Sequence, residues 1–195
     1  MTDSEIIIEV LHGNRNSFGI LVEKYQSLVF RTCMGFLHDK DDCDDLTQDI
    51  FIQAYQSLKG FKGESAFSTW IYRIAVNASL NRVRRNSGNP ILNRLDSLFG
   101  SGKEKEFQLP VSDTENPESI LIRQEHSKWI QDALNGLPEN QRTAIVLSKY
   151  DDLSQKEIAE IMQTTEGAVE ALMQRAKANL RLKLSPAFKK IGKTP

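Results

Sequence analysis

Little in this 195-residue chain suits chemistry at a metal, a thiol or a membrane. Cysteine occurs twice, at Cys33 and Cys43. That separation excludes a CxxC metal or redox spacing and reads as two reduced thiols. The three histidines, His12, His38 and His126, are scattered without a repeated spacing. No Ser-His-Asp arrangement and no phosphate-cradling glycine loop is present. No apolar run approaches the roughly 20 residues that span a bilayer. The start, Met1-Thr2-Asp3-Ser4-Glu5, is acidic and lacks the basic opening of a secretory signal. The expectation is therefore a cytoplasmic protein with no catalytic residues, no metal, no cofactor and no membrane insertion.

Net charge is also scarce, at −1, which looks unpromising for a nucleic-acid binder. Its distribution is more informative. Asp39, Asp41, Asp42, Asp44, Asp45 and Asp49 cluster with only Lys40 among them. Arg73, Arg82, Arg84 and Arg85 occupy a stretch free of acids. After Ala168, Arg175, Lys177, Arg181, Lys183, Lys189, Lys190 and Lys193 face Glu170 alone. Acid and base are segregated, which implies two kinds of partner.

Period-2 alternation is missing too, so a sheet is not expected. Helical spacing links Phe18, Leu21, Val22, Tyr25, Leu28 and Val29. It links Leu46, Ile50, Phe51, Ala54, Tyr55 and Leu58, and again Ile71, Ile74, Ala75 and Ala78. These stripes read as core. Between Asn86 and Pro117 the chain turns to Asn-Ser-Gly-Asn-Pro and Gly-Ser-Gly chemistry, too long for a loop inside one compact domain. It reads as a flexible tether, with Leu92, Leu95, Leu98 and Phe99 able to form a short helix within it.

Helical periodicity resumes at Ile120, Leu121, Trp129, Ile130 and Leu134. Gly136 breaks it, and Pro138 suits the first turn of a helix through Ala144, Ile145 and Leu147. Ser154 and Glu157 then form an S-x-x-E capping box. Ile158, Ala159 and Met162 face inward, Gln163-Thr164-Thr165 turns, and Thr165 can cap a helix burying Val169, Leu172, Met173 and Ala176. That spacing is a helix-turn-helix pattern, with a plain helical hairpin as the alternative. Gln163 stands where glycine is common, so the turn must manage without a residue that adopts positive φ freely. The basic tail favours DNA as the partner.

Two further segments carry chemistry. In DDLTQDIFIQAYQSL the face opposite the apolar stripe presents Asp45, Gln48, Asp49, Ile52 and Gln53, a rim of carboxylates and amides that can dock on a basic protein. In GFKGESAFSTWIYRIAVNASLNRVRR, aromatics interleave with arginines and Asn77. Rings stack on unpaired bases, arginines follow phosphates and an amide reads base edges.

The order FGILVEKYQ, DDLTQDIFIQAYQSL, FKGESAFSTWIYRIAVN, LPENQRTAIVL and LSQKEIAEIM resembles the group IV, or extracytoplasmic-function, sigma factors of the bacterial sigma-70 family. The resemblance covers about residues 5–85 and 118–184. It implies an all-α protein of two small helical domains, region 2 over 5–85 and region 4 over 118–190, joined by a linker over 86–117. By similarity, Asp45, Gln48, Asp49 and Ile52 would bind the β′ clamp helices of core RNA polymerase. Phe61, Lys62 and Gly63 would help pocket a flipped base of the minus-ten element. Trp70, Arg73, Asn77, Arg82, Arg84 and Arg85 would contact the opening strand. The helix-turn-helix would enter the major groove of the minus-thirty-five element, with region 4 also meeting the β flap. The family also implies an anti-sigma partner.

At the positions where relatives often carry Arg-Ser-Arg, this chain has Glu170, Ala171 and Leu172. Base contacts then fall to Thr164, Thr165, Glu166 and Glu170, whose carboxylate can accept from cytosine N4. Arg175, Lys177 and Arg181 are assigned to phosphates. A stand-alone helix-turn-helix regulator leaves the acidic face and the aromatic-arginine helix unexplained. A nuclease would need its metal held by converging aspartates, which read better as a surface.

Overall fold

A computed structural model describes residues 1–87 and 117–191, with side chains over 1–86 and 125–185. Among the described residues every regular element is helical and no strand occurs. Helix α1 (Asp3–Leu11) starts at a Thr2–Glu5 capping box. Helices α2 (Phe18–Leu37), α3 (Lys40–Ser57) and α4 (Phe67–Ser87) complete the first module. The second holds α5 (Pro117–Asn135), α6 (Glu139–Lys149), α7 (Gln155–Met162) and α8 (Glu166–Ile191).

In the first module α2 is central, flanked by α1, α3 and α4. Leu21, Val29, Ile50 and Ile71 have no solvent exposure, each burial contributing about 1.5–3 kcal/mol. Phe18, Tyr25, Leu46, Phe51, Ala54, Leu58 and Ala75 join the same core, and Val22, Leu28, Ile74 and Ala78 line it. Tyr55 departs from the expected stripe: it is 38% exposed and meets Phe18 edge-on at 5.1 Å. A tyrosine at the edge of a stripe keeps its hydroxyl wet while its ring packs.

The capping box at Ser154 forms as the spacing requires. Ser154 Oγ accepts from Glu157 N–H at 3.3 Å, and Ser154 N–H donates to Glu157 Oε2 at 2.9 Å. Ser154→Ala should cost about 1 kcal/mol, measured as a lower denaturation midpoint. Thr165 Oγ1 caps α8 by accepting from Ala168 N–H at 3.2 Å. Ile158, Ala159, Val169, Met173 and Ala176 are buried and Met162 and Leu172 half-buried; the periodicity passed over Ile161, also buried. Ile130, expected inside, is 49% exposed. Pro138 sits at the N-cap rather than within the first turn.

The turn itself differs from expectation. Gln163 adopts the left-handed conformation, φ 53° and ψ 49°. It does so because Thr164 N–H must reach Ala159 O, at 2.9 Å, the bond that closes a Schellman-type helix end. A non-glycine residue there costs roughly 1–2 kcal/mol, partly offset by glycine's own entropy. Gln163→Gly should therefore raise stability by about 0.5–1 kcal/mol, seen as a higher melting temperature.

The two modules touch. Phe36, Tyr72 and Val76 of the first module are buried in one cluster with Leu134, Leu137, Ala144, Val146 and Ile158 of the second. Of the expected tether over 86–117, Asn86 and Ser87 instead end α4 and Pro117 opens α5; the rest, with the Leu92, Leu95, Leu98 and Phe99 helix, falls on 88–116, outside the described residues, as do the side chains of Ile120 and Leu121.

Candidate nucleic-acid and protein interfaces

Helix α3 begins where Asp39 Oδ1 accepts from Asp42 N–H at 2.8 Å, and Asp41 and Asp42 in its first turn suit the helix dipole. Asp45, Gln48, Asp49 and Ile52, at i, i+3, i+4 and i+7, fall on one face and are all exposed. Ile52 is 56% exposed, an apolar residue set in a polar rim. Arg82 reaches down from α4 to lie 3.7 Å from both Asp42 and Asp49. At that distance and exposure the pairs add little stability, but they join the acidic face to the arginine helix.

The segment before α4 is held by its rings. Phe61 N–H donates to Leu58 O at 3.0 Å, and the Phe61 ring packs on Trp70 at 5.2 Å and Phe67 at 5.9 Å. Phe67 also meets Trp70 at 5.5 Å and Tyr25 at 5.3 Å. Phe61 and Trp70 stay half-buried, so their rings are fixed from behind while part of each remains accessible. Lys62 and Gly63 between them are exposed, and Gly63 has φ 73°, which a side chain would resist.

Along α4, Asn77 and Arg85 are exposed. Arg73 and Arg84 are engaged elsewhere. Arg73 Nη2 donates to Glu160 O at the end of α7, at 2.8 Å, while its Nε is buried without a partner. Arg84 Nε donates to Glu139 Oε1 at 2.6 Å, and this pairing raises the Arg84 pKa and lowers that of Glu139.

On the second module, Thr164, Thr165, Glu166, Glu170, Arg175, Lys177 and Arg181 are all exposed. At about 100° per residue, Glu166, Glu170, Lys177 and Arg181 share one flank of α8, and Arg175 lies on the opposite flank. Gln174 was absent from the sequence reading, yet it stands on the exposed face one turn beyond Glu170. Its Nε2 donates to Glu170 Oε1 at 3.4 Å. Its i+4 spacing from Glu170 was the available signal.

A second group the sequence reading missed joins the modules. Asp151 Oδ1 accepts from Arg31 Nε at 3.1 Å, and Oδ2 accepts from Thr32 Oγ1 at 2.9 Å. Burial raises the Asp151 pKa against the opposing pull of Arg31 and Thr32. Nearby, burial and the Asp151 carboxylate push the Tyr72 phenol to about 12. Among the described residues no cluster of three or more His, Cys, Asp or Glu side chains could hold a metal ion. Among them, too, no helix is long and apolar enough to cross a membrane.

Residues 21–88 match the family model for sigma-70 region 2, and residues 127–180 match that for sigma-70 region 4. The chain is 32% identical over 190 residues to the RNA polymerase sigma-H factor of Pseudomonas aeruginosa, covering 96% of each. It is 33% identical over 186 residues to the ECF RNA polymerase sigma-E factor of Haemophilus influenzae, covering 95% of this chain and 97% of that one. In fold it is similar to CnrH, solved in complex with the cytosolic domain of CnrY, at TM-score 0.63 and 22% identity over 94% of this chain and 97% of that one. It is also similar to the sigma factor RpoE of Bartonella quintana, solved with the anti-sigma factor NepR. There the TM-score is 0.56 at 18% identity, over 86% of this chain and 96% of that one. With both regions matched in order and full-length relatives at this identity, the chain belongs to the extracytoplasmic-function group of the sigma-70 family, the RNA polymerase factors that direct transcription initiation at promoters.

Proposed function

We propose that this chain grips core polymerase with one face of α3 and promoter DNA at two points, with no catalysis of its own. Residues 5–85 serve as region 2, 86–117 as the linker and 118–190 as region 4. Asp45, Gln48, Asp49 and Ile52 bind the β′ clamp helices, and region 4 meets the β flap. Phe61, Lys62 and Gly63 pocket a flipped minus-ten base. Trp70, Arg73, Asn77, Arg82, Arg84 and Arg85 hold the opening strand. Thr164, Thr165, Glu166 and Glu170, joined by Gln174, read the minus-thirty-five groove, and Arg175, Lys177 and Arg181 clasp its phosphates.

Opening is differential binding. Unstacking costs a few kcal/mol, offset when the flipped base is pocketed and exposed bases stack on rings already fixed in place. The observation that carries this reading is the adjacency of the exposed acidic α3 face to the ring-backed α4 helix, bridged by Arg82. It puts protein recognition beside strand capture. The site of action is the cytoplasm, and an anti-sigma protein covering these faces is the expected regulator, as an anti-sigma factor accompanies one of the similar structures.

The test is reconstitution. Purified chain added to core polymerase should give promoter-dependent transcripts and co-elute with the enzyme. Promoter-duplex binding with no association with core would favour the stand-alone regulator instead.

A further inference from the structure

The exposed face at the start of α8 offers acceptors, where the commonest base contact is made by a cation. From Glu157 through Gln174 neither lysine nor arginine occurs. At about 100° per residue, Gln174 is turned about 40° from Glu170 on one side and Glu166 equally on the other. All three are exposed. Arg175, the next cation along the chain, is turned about 140° from Glu170. Glu166 lies in the first turn, where the helix dipole favours a carboxylate. Glu170 lies beyond it and has no such support. Its neighbours at i−4, i−3, i+3 and i+4 are Glu166, Gly167, Met173 and Gln174, so along the helix no cation pairs with it and one neighbour repels it. Gln174 Nε2 donates to Glu170 Oε1 at 3.4 Å. A carboxylate only accepts, so this bond turns the amide nitrogen toward Glu170 and the amide oxygen away. Beside this row the surface is open. A methyl group at Gly167 would meet nothing within 4 Å, and Ala171 is small and half-buried.

Resting on the proposed placement of α8 in the minus-thirty-five groove, we infer that Glu170 and Gln174 act as one reading unit, which selects a cytosine and a nearby adenine and rejects guanine in the cytosine's place. Glu170 Oε2 accepts from cytosine N4. Gln174 keeps one N–H and its carbonyl oxygen for adenine, donating to N7 and accepting from N6. Four residues of helix rise about 6 Å, and bases along a strand lie about 3.4 Å apart. The adenine therefore lies within two base pairs of the cytosine. Guanine presents N7 and O6, both acceptors, along the same edge. Set against a carboxylate, they leave acceptors facing one another without a proton between them. Discrimination thus comes from this rejection as well as from the bonds made. Gln174 contacts a base of its own and positions the Glu170 carboxylate for the other.

The test is selection from a duplex library randomised across the minus-thirty-five element, with holoenzyme assembled from core polymerase and the full chain. The wild type should enrich one C·G pair and an A·T pair within two positions of it. Reversing the C·G pair should lower binding roughly 5- to 150-fold. Glu170→Gln should convert the preferred C·G to A·T, with adenine on the strand that carried the cytosine. Glu170→Arg should reverse the pair, because arginine takes guanine O6 and N7. Gln174→Ala should lose the adenine preference and weaken the cytosine one. Both side chains are exposed, so the fold tolerates these changes. A wild type with no C·G preference would overturn the inference, as would Glu170 variants that enrich the wild-type sequence. Gln174→Ala with both preferences intact would overturn the reading unit. Either result leaves the polymerase reading standing. A holoenzyme that enriches no sequence at all would strike the placement of α8 in the groove and this inference with it.

Discussion

Reversing charge on the acidic face, by Asp45→Arg or Asp49→Arg, should lower affinity for core polymerase by at least about thirtyfold. Removing one partner of a desolvated interfacial charge pair costs about 2–5 kcal/mol, and reversal adds repulsion to that loss. The fold should not suffer, because both side chains are exposed and surface changes usually stay within about 0.5 kcal/mol. Asp49 is tied only loosely, at 3.7 Å, to Arg82. Co-elution with core should fail while the thermal melt is unchanged. A variant that binds core like the wild type would remove α3 from the polymerase interface.

Trp70→Ala should slow open-complex formation by roughly 5- to 150-fold, since a base stacked on an aromatic ring is worth about 1–3 kcal/mol. The same change removes a ring from the Phe61–Phe67–Trp70 cluster, so some stability is lost with it. Two comparisons separate these effects. Trp70→Phe keeps a ring and should recover most of the rate. A template already unpaired at the minus-ten element should recover activity in Trp70→Ala, because the opening step has been made for it. Equal defects on paired and unpaired templates would mean that Trp70 serves only to hold the loop.

The two families of effect follow from one arrangement. On α3 the apolar residues Leu46, Ile50, Phe51 and Ala54 turn inward, which leaves Asp45, Gln48, Asp49 and Ile52 outward as a matter of helical geometry. On α4 the buried Phe67, Ile71 and Ala75 fix the helix so that Trp70, Asn77 and Arg85 remain reachable. The core thereby decides which side chains are offered to partners, and Arg82 links the two offered faces.

Much of this was legible because the signals are local. The Ser154–Glu157 capping box, Thr165 at the start of α8 and the inward stripe Val169, Met173 and Ala176 each depend on residues within a few positions of one another. The exposed row on α3 follows from the same periodicity. What periodicity could not show was the contact between modules. Arg31 lies on α2 and Asp151 in the turn between α6 and α7, and nothing in either neighbourhood names the other. Phe36, Val76 and Gly35 carry no local mark, and Tyr72 reads as one of the aromatics interleaved with arginines. Only the packed structure gives them a common neighbour. Gln163 shows a different limit. The absence of glycine was visible, but the backbone takes the left-handed turn regardless, because the bond to Ala159 O and the packing of α7 on α8 outweigh the strain.

The most direct measurement is a permanganate footprint of unpaired thymines on a promoter of this factor, made with core polymerase and the full chain together. Reactive thymines should appear across the minus-ten element only when both proteins are present, and should weaken with Trp70→Ala. A transcribing complex whose minus-ten thymines stay protected, or thymines that react with polymerase alone, would contradict the account.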